Sequence, residues 1–317
     1  MFEAKLADGT PLKKLFEAMK DLFTSVNFEC NDNGISCQAM DSSHVCLCSV
    51  LLRHDAFDPY RCDKSVTLGM NCVTMSKILK CAGNDESICL RAEDSADIVT
   101  LIFEKPNQER ISKFEMKLMD IDSEHLGIPD QDYDAVIKMP SHELSRIIRD
   151  LSQFGDTVTI ACTKDGVRFS CNGDSGSGSI TLRNASSVDS NEDNEVSIEL
   201  KEAVTQTYAM RFLILFGKVR LLIVKFMSYW IEFKLHFNKY IKVNISLICY
   251  CFQHLLFQAA TLSKSCVLSI CQDVPLVVEY KIGDCGYIRY FLAPKIDDNE
   301  EMDDGGDEEA TNENADD

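Results

Sequence analysis

Val26-Asn27-Phe28-Glu29-Cys30-Asn31-Asp32-Asn33-Gly34 has an echo later in the chain, Val158-Thr159-Ile160-Ala161-Cys162-Thr163-Lys164-Asp165-Gly166. Each is an apolar run entering a polar turn that ends in glycine. Val26 to Val158 and Gly34 to Gly166 share one offset of 132 residues. Each turn joins two strands, with Ile35–Ala39 and Val167–Ser170 as the return strands. Glycine at the same place in both turns predicts the same positive-φ backbone twice, and so an internal repeat.

The flanking segments repeat too. Before the first hairpin, Leu12, Leu15, Phe16, Met19 and Leu22 fall at helical spacing, with Lys13, Lys14 and Lys20 off that stripe and Pro11 at the start. Before the second, Ser141–Leu151 places Leu144, Ile147, Ile148 and Leu151 on one side and Arg146 and Arg149 on another. A second helix is expected in each half, at Val73–Cys81 with Lys77 and Lys80, and at roughly Tyr208–Gly217 with Arg211 and then Lys218. Strands follow each, at Ser87–Ala92, Ile98–Glu104 and Arg110–Met119, then at Ser265–Cys271, Leu276–Ile282 and Tyr287–Leu292. The expected fold is α+β, two copies of a unit with two helices packed on antiparallel sheets.

Four helices with basic residues are unexpected in an acidic chain. Lys+Arg is 32 against 51 Asp+Glu, a net charge of −19 over 317 residues. Side by side, the helices would make a basic concave surface suited to phosphates. The acid is concentrated elsewhere. Residues 297–317 hold twelve acidic residues and no basic ones, the composition of a disordered tail. Fifteen cysteines are too dilute for a disulfide scaffold. The charged start Met1-Phe2-Glu3-Ala4-Lys5 lacks the apolar stretch of a secretory leader, so reduced thiols in the nucleus or cytosol are expected.

Met40-Asp41-Ser42-Ser43-His44-Val45, Lys77-Ile78-Leu79-Lys80-Cys81-Ala82-Gly83-Asn84, Leu126-Gly127-Ile128-Pro129, Leu276-Val277-Val278-Glu279-Tyr280-Lys281-Ile282 and Leu292-Ala293-Pro294-Lys295-Ile296 resemble the proliferating cell nuclear antigen family, the eukaryotic sliding clamps. The resemblance covers about residues 1–218 and 259–296. It implies a ring-shaped homotrimer around double-stranded DNA in the nucleus, bound without regard to sequence. It implies a processivity factor for DNA polymerase that also docks the clamp loader, flap endonuclease, DNA ligase and other replication and repair proteins. It makes Lys13, Lys14, Lys20, Lys77, Lys80, Arg149, Arg211 and Lys218 the DNA-facing residues. Lysines suit a sliding contact, being point charges without fixed geometry.

The resemblance divides the chain into an N-terminal clamp domain (1–118), an interdomain connector loop (119–134) and a C-terminal clamp domain (135–296). The connector alternates acids with apolar residues. By resemblance it covers a pocket for partner peptides formed by Met40, His44, Val45, Leu126, Ile128, Pro275, Phe291, Ala293, Pro294 and Ile296, which aromatic and aliphatic anchors would fill. The subunit interface falls on the edge strands Glu109–Lys117 and Ser175–Arg183, with Phe114 and Gly178 in them. Lys164, in the Lys-Asp-Gly turn, matches the family's ubiquitin acceptor.

Catalysis finds little support. There is no phosphate-binding loop, G-x-S-x-G or H-E-x-x-H. Cys46-x-Cys48 and Cys249-x-Cys251 lack zinc spacing, so neither metal nor cofactor is expected. The rival enzyme would be a magnesium-dependent one acting on nucleic acid through Asp120, Asp122 and Glu124, with no second carboxylate motif in a core strand to complete it.

Residues 219–258 depart from the family. Of these 40 residues 26 are apolar, yet Lys or Arg recurs every few positions, which argues against a membrane span. Removing them joins Phe216-Gly217-Lys218 to Ala259-Ala260-Thr261-Leu262-Ser263 as the family has it. Val219-Arg220 can be encoded as a splice donor and Phe257-Gln258 as an acceptor, so the segment reads as a retained intron or gene-model error. The alternative is a clamp paralogue or mis-spliced product unable to form a ring.

Overall fold

The computed structural model describes residues 1–83, 85–93, 97–107, 109–122, 126–128, 131–184, 195–217 and 263–295. The first half runs β1 (Phe2–Leu6), α1 (Thr10–Met19), β2 (Ser25–Asn31), β3 (Gly34–Met40), β4 (Cys46–Arg53), β5 (Tyr60–Cys62), β6 (Val66–Asn71), α2 (Cys72–Leu79), β7 (Ser87–Ala92), β8 (Ile98–Glu104) and β9 (Ile111–Lys117). The second runs β10 (Ala135–Pro140), α3 (Ser141–Leu151), β11 (Thr157–Thr163), β12 (Gly166–Gly173), β13 (Gly176–Leu182), β14 (Ser197–Leu200), β15 (Val204–Ala209), α4 (Met210–Gly217), β16 (Ser265–Ile270), β17 (Leu276–Ile282) and β18 (Gly286–Leu292).

The repeat is present in the backbone. Gly34 and Gly166 both have φ +135°. A Cβ at either would lie 2.1 Å from a carbonyl oxygen of the neighbouring strand, Leu52 in one half and Leu182 in the other. Only glycine fits such an approach at that φ.

Expected boundaries move in three of the four helices, and α2 ends at Leu79 rather than Cys81. The first helix stops at Met19 rather than Leu22, because the amides of Leu22 and Phe23 both donate to the Met19 carbonyl and close the last turn. Phe23 is thereby carried into the core. The helix expected from Tyr208 begins at Met210, because Val204–Ala209 alternates as a strand and pairs Tyr208 with Val158. Local helix propensity yields there to the ladder.

Among the described residues all pairings are antiparallel, in three sheets ordered β5-β1-β7-β8-β9, β14-β10-β16-β17-β18-β4-β3-β2-β6 and β13-β12-β11-β15. The central nine-stranded sheet joins the two halves through β18 and β4, seven residue pairs from Gly286 opposite Leu52 to Leu292 opposite Cys46. One face of it packs on the helices: Phe16 of α1 meets Phe28 of β2 at 5.3 Å, and Phe216 of α4 stacks on Tyr290 of β18 at 4.3 Å. Along β4, Cys46, Cys48, Val50 and Leu52 are buried toward this core, so Leu47, Ser49 and Leu51 face the other way.

Candidate nucleic-acid interface and docking pocket

The helices pack as two pairs, α1 on α2 and α3 on α4. Their basic residues do not present alike. Lys77, Lys80, Arg149 and Arg211 are exposed, whereas Lys13, Lys14 and Lys20 are half-buried. Lys13 Nζ donates to the carbonyls of Ala82 and Gly83, at 2.7 Å each, tying α1 to the turn beyond α2. Burial lowers the Lys13 ammonium, against the opposing pull of Glu86, Asp8 and Asp85. Burial lowers Lys14 as well, with Asp8 opposing. Glu17 sits between the paired helices, accepting from Lys20 and from Ser76 Oγ (3.2 Å), with Lys80 Nζ at 3.6 Å. An acid inside an otherwise basic face neutralises part of it, and nothing in the helical spacing signals that. Arg149 pairs with Asp150 at 3.1 Å. Arg211 Nη2 lies 3.5 Å from Ser43 Oγ, reaching the loop after β3. Arg146, exposed one turn before Arg149, belongs to the same face and is absent from the DNA-facing set. Lys218 lies outside the described residues.

On the opposite side of the central sheet, a cavity of about 350 Å³ is lined by Met40, His44, Val45, Leu126, Ile128, Pro275, Phe291 and Ala293, eight of the ten expected residues. Pro294 is not among the lining residues, and Ile296 lies outside the described residues. Leu47, Tyr133 and Val274 complete the apolar lining. The floor is one row of the sheet, Met40 opposite Leu47 and Leu47 opposite Phe291. Leu47 is invisible in sequence because Val45–Leu52 is apolar on both faces. A second cavity of about 390 Å³ adjoins the first and shares Met40, His44 and Leu126 with it.

The rim is built by Asp41. Its Oδ1 accepts from the amides of Val45 (2.8 Å) and Cys46 (2.6 Å), and its Oδ2 from the amide (2.9 Å) and hydroxyl of Ser43. Burial pushes this carboxyl up, but the hydrogen bonds from Ser43, Cys46 and Val45 outweigh it and hold it below the usual range. The turn puts His44 at φ 56°, and Ala293 N donates to the Val45 carbonyl at 3.0 Å, which fixes the C-terminal segment beside the cavity.

Among the described residues β9 pairs only with β8 and β13 only with β12, so Phe114 and Gly178 both sit on the sheet edges described. Lys164 is exposed in the turn between β11 and β12. Asp120 and Asp122 are exposed, and Glu124 lies outside the described residues. Among the described residues no three His, Cys, Asp or Glu side chains converge as a metal site. Their thirteen cysteines are free, and burial pushes the thiols of Cys46 and Cys72 up to about 12. No described helix is long and apolar enough to cross a membrane. Residues 219–258 and the acidic segment 297–317 lie outside the described residues.

Residues 1–125 match the proliferating cell nuclear antigen N-terminal domain, and residues 127–227 and 233–295 match the C-terminal domain. These matches span most of the chain, and the repeated halves of the fold correspond to the two matched domains. The chain belongs to the proliferating cell nuclear antigen family and is a DNA sliding clamp of replication and repair.

Proposed function

We propose that three copies of this chain close into a ring, with the helices inside against duplex DNA and the connector pockets outside. The observation that carries this reading is an equivalence between the halves. Following the ladders strand by strand, β9 is the counterpart of β18, and β13 is the counterpart of β4. β18 and β4 pair within the chain, whereas among the described residues β9 and β13 each keep one edge unpaired. Pairing β9 of one copy with β13 of the next repeats the internal seam and satisfies both edges. Transferring the register of Tyr290 opposite Cys48 places Phe114 opposite Gly178. A head-to-tail contact of this kind generates a ring when its rotation closes, which a threefold rotation does with three copies.

In the ring, Lys77, Lys80, Arg149, Arg211 and Lys218 face phosphates, with Lys13, Lys14 and Lys20 supporting that face from half-buried positions. The pocket takes peptides from DNA polymerase, clamp loader, flap endonuclease and DNA ligase. Lys164 is the ubiquitin acceptor, the protein is nuclear, and it lacks catalytic activity of its own. The domains are 1–118 and 135–296, joined by the 119–134 connector. Strand β9 ending at Lys117 and β10 starting at Ala135 support that division.

The same equivalence bears on the 219–258 segment. Seven residues join α2 to β7, and forty-seven join α4 to β16. The difference is forty residues, which supports reading 219–258 as a retained intron or gene-model error. Light scattering on the purified chain, with and without 219–258, tests the assembly. A mass of three subunits, together with stimulated polymerase extension on primed circular DNA, supports the ring, and a persistent monomer sinks it.

A further inference from the structure

The connector crosses the outer face of the central sheet along a single row of residues. Asn27 lies opposite Gly69, and the register of β2 and β3 sets Gln38 opposite Asn27. Each of the three holds the connector. Gly69 O accepts from Met119 N at 2.9 Å, and Asn27 Nδ2 donates to Ile121 O at 2.7 Å. Gln38 does both: its Nε2 donates to Leu126 O at 2.8 Å, and its Oε1 accepts from Leu126 N at 2.7 Å. A side-chain amide thus pairs with the backbone of Leu126 as a neighbouring strand would, occupying its donor and its acceptor together. Leu126 is also the connector residue at the boundary of the two cavities, lining each of them together with Met40 and His44 of the sheet side. Gln38 lines the one bounded by Asn27 and Ile121, and Ile128 lines the one over Phe291.

We propose that Gln38 is the positioning residue of the docking site: by pairing both backbone groups of Leu126 it fixes the wall between two chambers and keeps the apolar one shaped for a peptide before the peptide arrives. This rests on the pocket reading above. The reasoning is preorganisation. An exposed connector without this clamp samples many arrangements, and a peptide must then order it at the moment of binding, which weakens affinity without removing any peptide contact. Gln38→Leu keeps the bulk and removes both hydrogen bonds. Gln38→Glu keeps the acceptor for Leu126 N and removes the donor to Leu126 O. Neither change touches the core, because Gln38 is on the outer face.

The test measures anisotropy of a fluorescein-labelled synthetic peptide with aliphatic and aromatic anchors on the full chain, together with hydrogen exchange at the Leu126 amide. Removing two net hydrogen bonds corresponds to binding weaker by about tenfold for Gln38→Leu, with Gln38→Glu between it and the unaltered protein. Exchange at Leu126 should quicken while the melting temperature holds, which a role in general folding would not produce. If the unaltered protein binds the peptide and Gln38→Leu binds it as tightly, the role of Gln38 is overturned and the pocket stands. If the unaltered protein does not bind it, or Phe291→Ala binds as tightly as the unaltered protein, the pocket reading itself falls and takes Gln38 with it.

Discussion

The seam between β18 and β4 and the open edges of β9 and β13 are one structural position in two states. In the seam, Tyr290 is fully buried, stacked on Phe216 and edge-on to Tyr280 at 6.4 Å. At the edge its counterpart Phe114 is half-buried, resting on Phe103 at 5.2 Å with its other side uncovered. Opposite Tyr290 stands Cys48, buried, and its counterpart is Gly178, where a Cβ would come within 3.1 Å of Leu151 and Phe154 side chains. The chain joins its own halves by one such ladder and, among the described residues, leaves the counterpart edges unpaired. In the proposed ring the difference is whether the partner strand is covalently attached, and hence whether pairing depends on concentration.

The largest effect expected is all-or-none. The 219–258 segment follows α4, which forms the Phe216–Tyr290 stack behind the seam. Amplifying messenger RNA from the codon of Lys218 to that of Ala259 should yield a product 120 nucleotides shorter than genomic DNA does, the coding length of 40 residues. An equal length, with no shorter product, would make the insertion genuine, and the halves would no longer be equivalent behind their matching edges.

Next comes a matched pair of truncations. Tyr290→Ala opens a cavity in the core and should cost about 3–5 kcal/mol of folding stability, read as a lowered urea midpoint. Phe114→Ala should barely move that midpoint. Its cost falls on assembly, where an aromatic anchor is worth about 2 kcal/mol or more at each interface. Light scattering at micromolar concentration should then give a monomer. If Phe114→Ala melts early as a monomer, or leaves the trimer intact, the edge is not the counterpart of the seam.

A smaller contrast separates two kinds of basic residue on the helices. Alanine at Lys77, Lys80, Arg149 or Arg211 should reduce the salt dependence of DNA binding, with the log–log slope falling by about 0.9 for each phosphate no longer neutralised. Lys13→Ala should instead lower stability by about 1 kcal/mol, because its ammonium serves the carbonyls of Ala82 and Gly83. A Lys13 variant that changes the slope and leaves the melting temperature alone would reverse that assignment.

What the sequence disclosed follows the range of the interactions involved. Gly34 and Gly166 reveal the repeat because a close backbone approach excludes every other residue, and that constraint is local. Ser141–Leu151 is legible as a helix because its apolar stripe needs no partner to be seen. The seam is not legible: β18 and β4 lie more than two hundred residues apart, and nothing in Tyr290 or Cys48 names the other. Glu17 is equally silent, since an acid at helical spacing looks solvated until Ser76 and Lys80 are brought to it by α2. The pocket divides the same way. The family resemblance reached Met40, Val45 and Phe291, but Gln38 and Asn27 are ordinary surface amides until the connector is laid across them.

The smallest effect concerns the rim of that pocket, where the halves part company: β3 reaches β4 through the loop from Asp41 to Val45, whereas only Asp174 and Ser175 separate β12 from β13. Asp41 holds Ser43, Val45 and Cys46 by hydrogen bonds to its carboxylate, and that carboxyl is held below its usual range. A depressed carboxyl contributes stability that is fully present above its unfolded value, about 3.9, and is lost as pH falls through the lower folded value. Peptide binding should therefore be flat from neutrality down to about pH 5 and weaken only once pH drops below about 4. Asp41→Asn should weaken binding a few-fold at neutral pH, because its amide nitrogen is a donor facing donors. It should also remove this residue's share of the acid limb. Binding that weakens well above about pH 5 in the unaltered protein, or an acid limb that Asp41→Asn leaves unchanged, would overturn the assignment of that limb to Asp41.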